Sequence, residues 1–175
     1  MALIVEDGTV VVGAESYISE ADSLTYHAAR GNSPWPTITQ AQREEALRRA
    51  TDYMNQMYRS RWKGYRKTAV QTLDWPRTYV HLEPFTHGAV GAYPFLVADN
   101  IVPVEVKNAC AEFAIRAAAG ELTPDLTRAE SSVRVGEISV TYDPTSSEAV
   151  RYRALDAMLA PYLTGSAMNL RVVRT

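Results

Sequence analysis

The sequence is poor in the features that define several classes of protein. Its single cysteine, Cys110, excludes an intramolecular disulfide and favours a reducing compartment such as the cytosol. No apolar run approaches the roughly 20 residues that a membrane span needs. Residues 1–8 have neither the basic region nor the apolar length of a signal peptide. We therefore expect a soluble intracellular protein that makes no membrane contact.

An excess of positive charge is also missing. The formal net charge is −2 at pH 7, whereas a domain that binds polyanions over its whole surface is normally basic. The 175 residues, 46% apolar and 22% charged, suit one globular domain rather than two. We predict a single domain over residues 1–165, followed by a C-terminal arm over residues 166–175.

Complete motifs for catalysis or metal binding are absent from the sequence. His81, Glu83 and His87 could suggest a metal site, and His81 and Glu83 have the spacing that opens a zinc-deaminase motif. The Pro-Cys-x-x-Cys that completes that motif is missing. Cys110 lies on an apolar helical stripe, where burial favours a protonated thiol over a nucleophile. Phosphate-binding loops and a Gly-x-Ser-x-Gly elbow are also missing. We expect no enzymatic activity, no catalytic residue, no metal and no cofactor.

Helical periodicity predicts a mainly α fold, a small bundle of about four helices. The clearest helix opens at Thr39 and Gln42, which have capping-box spacing, and runs to about Tyr58. Three further helices are predicted: from Ser19 to Gly31, from Pro103 to Gly120, and from Ser146 or Ser147, through Val150, to Gly165. The last of these can have a kink at Pro161.

The remaining segments have strand or loop character. Residues 2–18 are predicted to be extended around a turn, and residues 32–36, with two prolines, to form a loop. A long irregular loop is expected over about residues 60–102, and loops of that length tend to be functional. Within it, Trp75 is predicted to be a core anchor rather than a recognition group.

A β-hairpin is predicted over about residues 131–143, with Gly136 and Glu137 as its two-residue turn. A two-stranded hairpin is marginally stable alone. We therefore expect it to pair with the extended N-terminal segment or to pack on a neighbouring subunit.

Positive charge is concentrated between Tyr58 and Lys67, where aromatic residues alternate with cations and no acid occurs. Two interpretations are open. Single-strand binders place cations along phosphates and rings under bases. Alternatively Tyr58 and Trp62, four residues apart, continue the apolar helical stripe into the core while the cations face solvent or a protein partner. We call residues 58–67 the basic segment, and its candidate contact residues are Arg59, Arg61, Lys63, Arg66 and Lys67.

Several short motifs follow one another along nearly the whole chain. They are Leu-Ile-Val-Glu-Asp-Gly at 3–8, Ala-Glu-Ser-Tyr-Ile-Ser at 14–19, Arg-Ala-Thr-Asp-Tyr at 49–53, Trp-Lys-Gly at 62–64, Leu-Asp-Trp-Pro-Arg at 73–77, Ile-Val-Pro at 101–103, Val-Gly at 135–136 and Leu-Ala-Pro-Tyr-Leu at 159–163. Their order and spacing resemble a family of tailed-phage head–tail connector, or adaptor, proteins. Members of that family are often labelled DnaT-like single-stranded-DNA-binding proteins.

The resemblance implies a mostly helical adaptor subunit that forms a homo-oligomeric ring, a dodecamer, beneath the phage portal protein. Such a ring extends the channel for genomic DNA and docks the next neck or tail protein. The resemblance therefore implies a place in the virion, at the head–tail interface, after synthesis in the host cytoplasm. The alternative function, suggested by the basic segment alone, is a single-stranded nucleic-acid-binding module.

The C-terminal arm is expected to bind the portal. Its apolar residues suit a contact better than a solvated terminus, and its arginines suit an acidic partner. Connector subunits that this chain resembles use terminal arms in this way. The candidate arm residues are Leu170, Arg171, Val172, Val173 and Arg174.

Overall fold

The computed structural model describes residues 2–82, 95–125 and 150–165, together with the backbone of residues 132–135 and 138–141. As predicted, the fold is mainly helical. Over these residues it contains five α-helices and two small antiparallel ribbons. The elements are α1 (Glu20–Ala28), α2 (Pro34–Thr37), α3 (Gln40–Tyr58), β1 (Tyr65–Arg66), β2 (Arg77–Thr78), α4 (Val104–Ala119), β3 (Ser132–Val135), β4 (Ile138–Thr141) and α5 (Arg153–Leu159), which continues into a 3₁₀ turn (Ala160–Tyr162).

The core forms where α3 packs along α4, with α1 and α5 against α4. Helix α3 opens on the predicted capping box: Thr39 Oγ1 accepts from the Gln42 amide at 3.3 Å, and Gln42 Oε1 accepts from the Thr39 amide at 3.0 Å. Alanines on both facing surfaces let the two backbones approach closely, and they are fully or almost fully buried: Ala46, Ala50, Ala109, Ala114 and Ala117. None of the helices in the described ranges is both long and apolar enough to cross a membrane.

Two helix predictions were wrong in detail. Residues 34–36 of the predicted 32–36 loop form, with Thr37, the one-turn helix α2, because proline is tolerated at the first helical position and the turn inserts Trp35 into the core. The last helix begins at Arg153, so Val150 precedes it. Its predicted caps, Ser146 and Ser147, lie outside the described residues. The α-helix ends at Leu159 and continues as the 3₁₀ turn over Ala160–Tyr162, which contains Pro161.

The predicted hairpin is present, with Ser132 paired with Thr141 and Val135 with Ile138. Its turn residues lie outside the described set. In the part of the chain that the structure describes, β3 and β4 pair only with each other. The N-terminal segment, proposed above as a partner, instead pairs with itself through a parallel bridge between Val5 and Ser16. Packing on a neighbouring subunit stays a prediction.

The long loop is irregular but not without strands. Its first half folds back on itself through β1 and β2, in which Tyr65 pairs with Thr78. Further along, residues 80–82 run antiparallel to residues 95–97, with the Val97 amide donating to Val80 O at 2.9 Å. Residues 83–94 are outside the described set.

Candidate interaction surface around the basic segment

The structure places two of the three rings in the basic segment in the core. Tyr58 ends α3 and Trp62 follows it within one turn, and both are almost completely buried. Trp62 packs edge-on against Trp75 with a ring separation of 5.6 Å, and Trp75 packs against Tyr162 at 5.7 Å. These rings therefore cannot stack on nucleic-acid bases in this structure. Tyr65 is the third, and its side chain is 73% exposed.

Arg59 forms an ion pair with a fully buried carboxylate. Its Nε donates to Asp74 Oδ1 at 3.0 Å and Oδ2 at 3.4 Å, although the arginine side chain itself is half exposed. The Asp74 amide donates to the hydroxyl of Tyr17, which in turn donates to Asn55 Oδ1 at 2.8 Å. Burial, reinforced by the Asp74 charge, raises the pKa of Tyr17. Arg59 thus closes a polar network that links α3 to the 73–77 motif.

The other four cations also have partners within the chain. Lys63 Nζ donates to the carbonyls of Pro161 at 2.7 Å and His81 at 3.2 Å. Arg66 donates to Gln71 O, and Lys67 lies 3.7 Å from the carboxylate of Asp99. The guanidinium of Arg61 lies over the ring of Tyr58 at 5.6 Å. The cations of the basic segment therefore stabilise the fold through contacts within the chain, besides making this region positively charged.

Arg77, which the sequence analysis did not single out, joins two of the motifs. Its buried guanidinium donates to Lys63 O and Gly64 O, both at 2.8 Å, and to Asp74 O at 3.2 Å. Burial lowers the pKa of Arg77, and the charge of Asp74 opposes that shift. Gly64, with φ +65°, lies so close to Thr78 O that no side chain fits there. The 62–64 and 73–77 motifs therefore hold each other in place.

The 3–8 motif performs a similar structural task. Glu6 is buried, and its carboxylate accepts from the backbone amides of Gly8 at 2.8 Å, Val10 at 3.0 Å and Val11 at 2.9 Å. Gly8, at φ +111°, lies against the backbone of residues 100–101, just before α4. No sequence signal distinguished this glutamate from an ordinary surface acid.

The candidate metal and nucleophile residues do not assemble into a site over the described residues. His81 Nδ1 is buried and has no hydrogen-bond partner among the described residues, while Glu83 and His87 lie outside that set. No group of three His, Cys, Asp or Glu in the described ranges could hold a metal ion. Cys110 is fully buried within 3.3 Å of Thr51 Oγ1, and burial raises the pKa of its thiol.

A second buried titratable group, His27, was missed by the sequence analysis. Its Nε2 lies 3.0 Å from Ala111 O and its Nδ1 lies 2.9 Å from the Asn32 side-chain amide. A carbonyl can only accept and an amide NH₂ can only donate, so the ring is neutral with its proton on Nε2. Burial lowers the pKa of His27. Its hydrogen bonds tie α1 to α4, which makes its role structural.

The residues of the predicted arm, 170–174, lie outside the described set. Within that set, four of the sequence motifs serve the scaffold, because each fills the core or fixes a backbone turn: 3–8, 62–64, 73–77 and 159–163. No curated protein and no solved structure matches the chain. The profile of a family described as "Putative DnaT-like ssDNA binding protein" matches residues 1–175, and the chain belongs to this family.

Proposed function

We propose that the protein is a structural head–tail connector subunit, which forms a ring below a phage portal and catalyses no reaction. The observation that supports this most is the role of the basic segment. Two of its three rings are core residues, and each of its five cations has a partner inside the chain. This arrangement suits a scaffold better than an open nucleic-acid groove.

In the proposed assembly, copies of the chain form a dodecamer coaxial with the portal in the virion neck. The ring extends the channel for genomic DNA and docks the next neck or tail protein. Half-exposed Arg59 and half-buried Arg61 would face a neighbouring acidic surface. The arm would attach to the portal through Leu170, Arg171, Val172, Val173 and Arg174.

Reconstitution with the cognate portal tests this function. We expect electron microscopy of the mixture to show a ring of this protein under the portal. We expect a chain that ends at Gly165 to keep its fold, because the described core, as far as Tyr162 and Leu163, precedes the cut. The same truncated chain should lose portal attachment. Absence of a ring with the full chain would refute the connector function, and normal attachment of the truncated chain would refute the role of the arm.

Single-stranded nucleic-acid binding is the second candidate, favoured by the family description and by the exposed ring of Tyr65. A base stacked on Tyr65, with phosphates near Arg61 and Lys67, would follow the usual mode of single-strand binding. Stacking on an aromatic side chain is worth about 1–3 kcal/mol per base.

Titration of a labelled oligonucleotide at several salt concentrations separates the two candidates. A nucleic-acid site predicts that Tyr65→Ala weakens binding by roughly 5–150-fold. It also predicts that Lys67→Ala lowers the salt slope by about 0.7. Lys63 and Arg66 are poor test positions, since both donate to backbone carbonyls of the fold. Val70→Ala, at another exposed position, is the matched control. Under the connector function alone, none of these variants changes binding.

A further inference from the structure

An apolar groove of about 550 Å³ opens beside the start of α4, and Tyr162, which packs on Trp75, is one of its lining residues. Its apolar lining includes side chains that are strongly exposed for their type, among them Leu96, Ile101 and Val104. Val104 is the first residue of α4 and is 60% exposed. Large aliphatic side chains grouped around one concavity are typical of a surface that binds another segment.

The charge around this groove is predominantly negative. Among the described residues that line it, Asp7 and Glu105 are acidic and Lys107 is the one cation. Glu105 is oriented by the hydroxyl of Tyr162, which donates to its Oε2 at 2.6 Å. The groove therefore suits an occupant that combines aliphatic side chains with positive charge.

The last described residue, Gly165, follows three residues after Tyr162, which lines this groove. The residues between them are held in place, with Leu163 bridged to Trp62 and the Thr164 amide donating to Arg61 O at 2.6 Å. The ten residues that follow Gly165 can span up to about 33–36 Å when extended. They contain two arginines, several apolar residues and no acid.

We propose that in the free subunit this groove binds the chain's own C-terminal arm, residues 166–175. Leu170, Val172 and Val173 supply apolar side chains that would cover the exposed aliphatic lining of the groove. Arg171 and Arg174 supply positive charge opposite to that of Asp7 and Glu105. The arm is then held on the subunit until a partner competes for it. This inference concerns the isolated chain, so it stands or falls independently of portal attachment.

Disulfide trapping in the full chain tests the proposal. In the double variant Val104→Cys/Val172→Cys, mild oxidation should give an intramolecular cross-link. The control is Val70→Cys/Val172→Cys, because Val70 is 90% exposed and does not line the groove. Buried Cys110 is present in both variants. Because docking raises the local concentration of the arm at Val104, we expect cross-linking at least about tenfold faster than in the control.

Two further measurements complete the test. Adding Arg171→Glu and Arg174→Glu to the Val104→Cys/Val172→Cys variant should bring its cross-linking rate down to that of the control. The cross-linked species is then sized on a non-reducing gel. A covalent dimer would mean that the arm docks on a second copy, and equal rates in both double variants would mean that it does not occupy the groove. Either result overturns the proposal.

Discussion

Replacing Gly64 by alanine tests whether the 62–64 motif is required for the fold. At φ +65° an L-residue costs about 1–2 kcal/mol. The added Cβ would also lie well inside 3.0 Å of Thr78 O and 2.9 Å from Val80 Cγ2, so β1 and β2 must separate. That shift weakens the two hydrogen bonds from Arg77 to Lys63 O and Gly64 O. Hydrogen bonds from a charged donor contribute about 1.5–3 kcal/mol each. We expect Gly64→Ala to lower the free energy of unfolding by about 3–5 kcal/mol in total.

Gly31 provides the matched control. Its φ of +68° is almost the same, but no atom of the described residues lies within 4 Å of the position that a Cβ would take. Gly31→Ala should therefore show the backbone cost alone, about 1–2 kcal/mol. The difference between the two variants isolates the steric part of the effect.

Urea unfolding followed by circular dichroism measures both free energies. For a chain of this size, each kcal/mol corresponds to about 2–4 °C in Tm. Gly64→Ala should therefore lower Tm by roughly 6–20 °C and Gly31→Ala by roughly 2–8 °C. Equal losses in the two variants would refute the steric argument and, with it, the structural role assigned to the motif.

Three further predictions concern buried polar groups. Because burial lowers the pKa of His27, its contribution to stability should be complete above about pH 6.5 and decline as pH falls below that value; the decline should be absent in His27→Gln. Cys110 should react with a thiol reagent only at the rate of unfolding, and fast reaction in the folded state would contradict its burial. Arg59→Ala should lower the free energy of unfolding by about 1–3 kcal/mol, because it removes the ion-pair partner of buried Asp74. Arg61→Ala, which removes the contact with the Tyr58 ring, should lower the free energy of unfolding by at most about 1 kcal/mol. A larger loss for Arg61→Ala than for Arg59→Ala in urea unfolding would be incompatible with the Arg59–Asp74 network.

Local signals in the sequence predicted some elements well. Helix α3 was found because its capping box and apolar stripe depend on neighbours within four residues. Helix α2 was missed, since the proline pair argued for a loop while burial of Trp35, whose Nε1 donates to Ser23 Oγ at 3.2 Å, stabilises the turn. Tertiary packing outweighed the local preference there.

The polar network around the basic segment could not be predicted in the same way. Arg59 and Asp74 are 15 residues apart, and Tyr17 and Asp74 are 57 apart, so no periodicity links them. Composition could detect five clustered cations but not their partners, which for Arg59, Lys63 and Lys67 are carboxylates or carbonyls of distant segments. The i,i+4 spacing of Tyr58 and Trp62 was the one sequence signal for the buried arrangement.

A cluster of cations and rings can therefore arise from two different requirements. A nucleic-acid groove needs the rings exposed and the cations without internal partners, since counterion release and stacking both depend on accessible groups. In this chain Trp62 packs on Trp75, Lys63 donates to two carbonyls, and Arg77 donates to the carbonyl of Gly64. Removing these groups would disturb the fold before it changed any contact with DNA. Loss of DNA binding in such a variant would consequently not identify a DNA site, whereas loss in Tyr65→Ala, whose ring is exposed, would.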